Sequence, residues 1–120
     1  MRKSENGRMA EIWHSPSVDI QYKSDQVTES VVQWRVSSKA SAIIRAIATG
    51  AASAVLLTLD DVLAAFEEVP LRAREAGVWL LIVVPEPHPY FEVVAERRVL
   101  VRPEAVPKVL QRLLPEMAAA

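Results

Sequence analysis

Two short runs of nearly unbroken apolar residues, SAVLLTL at 53–59 and VWLLIVV at 78–84, constrain the fold of this chain more than any other feature. An alternating pattern would mark a strand with one wet face. A continuous run this short marks a strand covered on both faces, and such strands belong to parallel sheets flanked by helices. The segments beside the runs are helical in period. Residues 39–49 place Ala42, Ile43, Ala46 and Ile47 on one face, with Ser38 as the expected cap and Gly50 as the stop. After the first run, Asp60 or Asp61 is the expected cap of a second helix. Its buried stripe is Val62, Leu63, Phe66, Val69 and Ala73, with a break at Pro70 and an end at Gly77.

Beyond the second run stands PEPHP, then an expected helix from about Tyr90 to Arg97. A strand at 99–102 and a closing helix at 107–117 follow, the helix carrying Val109, Leu110, Leu113 and Leu114 inward. Before the first helix, Ile12 and Trp13 read as one strand and residues 31–36 as another, with Val32, Trp34 and Val36 alternating. A short irregular helix is expected over 16–30, although Val18 to Tyr22 alternates like a strand. The sum is five β–α units. The expected fold class is α/β, a three-layer α/β/α sandwich on a five-stranded parallel sheet of flavodoxin type. At 120 residues there is room for one domain, expected over 9–117 between a flexible leader (1–8) and a tail (118–120).

Composition narrows the chemistry. The chain has no cysteine, which removes disulfides, thiolate–metal sites and thiol catalysis. Its net charge is −1, without a concentrated cationic face of the kind nucleic acid requires, so no nucleic-acid partner is expected. Three scattered glycines make neither a dinucleotide fingerprint nor a phosphate loop, and no cofactor or metal is expected. Residues 1–9 lack the apolar stretch of a secretory signal, and a seven-residue run cannot span a bilayer. The expectation is a cytoplasmic protein with no membrane partner.

Three phrases carry a family resemblance. SSKASAIIRAIATGAASAVLLTLDD, REAGVWLLIVV and RVLVRPEAVPKVLQRLLPEM resemble the second helix with the central strand, the third helix with the fourth strand, and the closing strand and helix of response-regulator receiver domains. The resemblance spans roughly 9–117 and is strongest from Val31 onward. Receivers transfer a phosphoryl group to an aspartate at the end of the central strand, beside carboxylates that hold Mg²⁺. Here the acceptor position falls on Thr58, and the acidic pair falls on His14 and Ser15. The hydroxyl position at the fourth strand falls on Val84, and the lysine position on Arg102. The resemblance therefore implies a degenerate pseudo-receiver, not an enzyme, which regulates or signals by docking another protein.

Two groups of residues are candidates for that docking surface. The prolines of PEPHPYF stiffen a loop presenting His88 and Tyr90, with Phe91 assigned to the core, and Arg97 and Arg98 lie just beyond. Receivers commonly pair through the corresponding face, which makes a homodimer an expected partner state. A ligand-binding or hydrolytic protein is the alternative, using His14, Thr58, Asp60 and His88 at the carboxyl edge of the sheet. A third reading is an active receiver with a displaced acceptor.

Overall fold

The computed structural model describes residues 10–18, 32–84, 91–95 and 97–119. Five parallel strands form the sheet: β1 (Ala10–His14), β2 (Val32–Val36), β3 (Ala54–Thr58), β4 (Trp79–Val83) and, last in the chain, β6 (Arg98–Val101). An antiparallel strand, β5 (Phe91–Ala95), pairs with β6 and forms one edge, giving the order β2-β1-β3-β4-β6-β5. Without β5 the order is that of the flavodoxin-like fold.

The helices are α1 (Ala40–Ala48), α2 (Leu59–Val62), α3 (Val69–Ala76) and α4 (Val106–Ala119), the last preceded by a 3₁₀ turn at Pro103–Ala105. They divide between the two faces. Alternation along the strands sends Ile12, Ala54, Leu56, Leu81, Val99 and Val101 to one face, where α4 covers them with Val109, Leu110, Leu113 and Leu114. Val55, Leu57, Leu80, Ile82 and Val84 go to the other, beneath Ile43, Ala46 and Ile47 of α1 and Phe66, Val69 and Ala73 around α3. Residues 54–57 are wholly buried because both layers close on them, as the unbroken apolar run requires.

Local chemistry explains the helix boundaries, with four departures from the sequence reading. The cap of α2 is Thr58, not Asp60 or Asp61, which lie inside its first turn. Ser38 does not cap α1. Lys39 is the cap residue, and the hydroxyl of Ser37 accepts the Lys39 N–H at 3.1 Å. The helix expected after β3 divides in two, since Pro70 cannot continue a ladder but fits the first turn of a new helix, where its missing N–H is no loss. Leu63 lies in the intervening turn and is 71% exposed instead of buried. Gly77 ends α3 with φ of 71°, a left-handed conformation that costs glycine least.

The largest correction concerns Tyr90 to Arg97. Residues 91–95 form a strand, not a helix, and the chain returns to β6 through a two-residue hairpin loop. Phe91, Val93 and Val94 favour strand, and the open edge of β6 offers them a ladder. Arg97 takes the left-handed conformation (φ 59°) that such a loop needs and usually assigns to glycine or asparagine. The PEPHP segment, with His88 and Tyr90, and most of the expected helix at 16–30 lie outside the described residues, as does the side chain of Phe91. Residues 15–18 form a turn closed by the Val18 N–H on the Ser15 carbonyl at 3.2 Å.

Candidate functional site

In a parallel sheet the strands end together, so the carboxyl edge gathers His14 and Ser15 after β1, Thr58 after β3, Val84 after β4 and Arg102 after β6. Two of these expected positions, Ser15 and Thr58, are joined through a third residue, Asp61. Thr58 is the N-cap of α2: its hydroxyl accepts the Asp61 N–H at 3.1 Å, and Asp61 Oδ2 accepts the Thr58 N–H at 3.0 Å, a reciprocal capping box. The same Oδ2 accepts from the Ser15 hydroxyl at 2.5 Å, and Oδ1 accepts from Ser17 at 3.1 Å. Ser15 is fully buried, so its hydroxyl needs an internal partner and Asp61 provides it.

Burial pushes the Asp61 carboxyl up. The hydrogen bonds from Ser15, from the backbone and side chain of Thr58, and from Ser17 outweigh burial and hold it below its ordinary value of 3.8. Asp61 is therefore a carboxylate at neutral pH. Asp60, one residue earlier, is exposed.

His14 is buried under the β1–β2 pair. Its Nδ1 lies 2.8 Å from the Ser15 carbonyl, and its ring meets Trp34 edge-on at 5.9 Å between centroids. A carbonyl can only accept, so Nδ1 carries the hydrogen. Val84 is buried in the second core and gives its N–H to Val101 at 2.9 Å. Arg102 forms a 2.6 Å ion pair with Glu104. Neither reaches the Ser15–Thr58–Asp61 cluster by any hydrogen bond found among the described residues.

Arg97 and Arg98, both half-buried, each bond a backbone carbonyl at an end of α3. Arg97 donates to the Gly77 carbonyl at 2.8 Å, and its guanidinium lies 5.8 Å from the centre of the Trp79 ring. Arg98 donates to the Pro70 carbonyl at 3.1 Å. On the α1 side of the sheet, Trp13, Ser41, Ala42, Arg45, Ala46, Thr49 and Ala51 line an open groove of about 540 Å³.

The chemistry of the cluster is inward. Its hydroxyls and carboxylate satisfy one another, and Thr58 is committed to starting a helix. Among the described residues no group of three or more His, Asp or Glu side chains is placed to hold a metal ion. No helix among them is long and apolar enough to cross a membrane. The role of Asp61 as the tie between β1 and β3 escaped sequence reasoning, which took it for a simple cap. The signal was present: Thr58-Leu59-Asp60-Asp61 has the spacing of a capping box. Comparison with protein families, curated proteins and solved structures returns no match.

Proposed function

We propose that this chain is a receiver-like regulatory module that performs no phosphoryl transfer and acts by docking another protein at the carboxyl edge of its sheet. One observation carries the reading. Ser15 and Thr58, which stand where a receiver would place a metal ligand and its acceptor, are tied together through Asp61, while Leu63, two residues further along the chain, stands 71% exposed. An edge braced by its own hydrogen bonds presents a fixed surface at little ordering cost, and exposed Leu63 is the side chain through which its contacts are tested. The buried position of Ser15 also argues against its use as a nucleophile, because a substrate would have to open the cluster to reach it.

Two measurements test this. Beryllofluoride with Mg²⁺, which mimics an aspartyl phosphate, leaves the amide spectrum of residues 56–62 unchanged under this reading. Shifts centred there would mean a working phosphorylation site and would sink it. Affinity capture from the native extract recovers one partner in near-stoichiometric amount, and Leu63→Asp, on an exposed position, removes that partner while the domain stays folded. A folded bait that captures nothing moves the case to a small ligand.

A further inference from the structure

We propose that β2 is a self-association edge, along which two copies of this chain pair antiparallel across a two-fold axis through Trp34. This goes beyond the carboxyl-edge reading and does not depend on it. The two ends of the sheet are guarded differently. At the β5 end, the ladder is broken by a register shift between Val93 and Ala95, and Pro85, Pro87 and Pro89 precede the strand. A bulge and nearby prolines are the usual defences of an exposed edge. At the β2 end neither is present: Val32–Val36 runs in unbroken register with β1 and contains no proline.

The direction of the free groups follows from the hydrogen bonds. Ser37 donates to the His14 carbonyl at 3.0 Å. In a parallel ladder alternate residues turn both backbone groups to the same neighbour. Gln33 and Arg35 therefore face β1, and Val32, Trp34 and Val36 turn their N–H and C=O groups outward, where no described residue pairs with them.

The sequence of the edge selects a second copy as the occupant. With Trp34 opposite Trp34, Val32 lies opposite Val36 and Gln33 opposite Arg35. All the outward groups then pair, in about six main-chain hydrogen bonds, and the exposed Val36 (55%) gains an apolar neighbour. No like charges meet. A two-residue slip toward the carboxyl end would set Arg35 against Arg35, and a one-residue slip would turn every side chain to the wrong face. The contact is isologous and closes at two copies. A five-residue edge buries less than the roughly 1,200 Å² of a stable interface, so the dimer is a weak one, seen only at high concentration.

Amide spectra of the full chain, diluted from about 2 mM to 20 µM, together with sedimentation equilibrium, test this. The expected result is a monomer–dimer equilibrium whose shifts concentrate on the amides of Val32, Trp34 and Val36. Gln33→Arg opposes Arg35 of the second copy and weakens the dimer about three- to tenfold, and Gln33→Glu tightens it by a similar factor. Gln33 is exposed, so neither variant disturbs the core. A monomer throughout the dilution, concentration-dependent shifts elsewhere, or a dimer that both variants move in the same direction or leave unmoved would overturn the proposal.

Discussion

The Asp61 cluster can be taken apart with two substitutions that differ in what they remove. Asp61→Ala deletes the acceptor of three hydrogen bonds: those from buried Ser15, from the Thr58 N–H and from the exposed Ser17. The Ser15 hydroxyl is then buried without its partner, at a cost of about 1–3 kcal/mol, and half of the capping box is lost, about 1 kcal/mol more. The Ser17 contact is exposed and adds little. The expected loss is about 2–4 kcal/mol at neutral pH. Asp61→Asn has the same shape. Its carbonyl oxygen can take the place of Oδ2, and its amide can donate to Ser17, so only the charge is lost and the cost is about 1 kcal/mol.

The pH dependence separates the two effects. The folded carboxyl lies below 3.8, so its charge contributes stability that is complete above about pH 4 and lost as pH falls through the folded value. The difference between the wild type and Asp61→Asn therefore shrinks on acidification below about pH 4. Urea unfolding followed by the fluorescence of the three tryptophans reads both; a loss of 2–4 kcal/mol moves the midpoint by roughly 1–2 M. If Asp61→Ala costs less than about 0.5 kcal/mol, the cluster does not hold β1 to β3 and the argument for a self-satisfied edge fails.

Three further outcomes follow from the packing. Leu81→Ala, fully buried at the centre of the sheet, costs about 3–4 kcal/mol in the same urea assay. Gly77→Ala costs about 1 kcal/mol through its positive φ alone, since a Cβ there meets nothing within 4 Å. Arg97→Gly changes stability by less than about 1 kcal/mol, because relief of the left-handed backbone offsets the loss of contacts to Gly77 and Trp79. Arg97→Val has no such relief and lowers the thermal midpoint by several degrees.

The parallel core was legible because its signal is local and redundant. SAVLLTL and VWLLIVV are apolar at almost every position, which only a doubly covered strand explains, and Gly50 and Gly77 mark the helix ends. The carboxyl-edge positions His14, Ser15 and Thr58 were legible as a consequence, since parallel strands bring their ends together whatever residues stand there. Residues 91–95 were misread because the alternation of strands and helices suggested another helix and the hairpin lacked its usual marker. Arg97 takes a conformation that the sequence advertises only when glycine or asparagine occupies it. The tie through Asp61 was missed for another reason. A capping box can be read from four residues, but the bonds from Ser15 and Ser17 cross more than forty positions and exist only once β1 lies beside β3.

The in-plane return through β5 has a consequence for where docking should be tested. Parallel neighbours β4 and β6 require the chain to travel back to the amino-terminal end of the sheet, and a helix would do so across one face. Here β5 does so within the sheet. Among the described residues no helix covers β6 on the α3 side, and Leu100 on that face is only partly buried. The two arginines at the hairpin help fasten it: Arg98 reaches the Pro70 carbonyl at the start of α3, and Arg97 reaches the Gly77 carbonyl at its end. Charge reversal at either would loosen that attachment while changing the surface, so a weakened complex would not distinguish docking from stability. Leu63 has no such second role: it is 71% exposed and its side chain forms no hydrogen bond. Loss of binding in Leu63→Asp, with the urea midpoint unchanged, reports on the carboxyl edge alone.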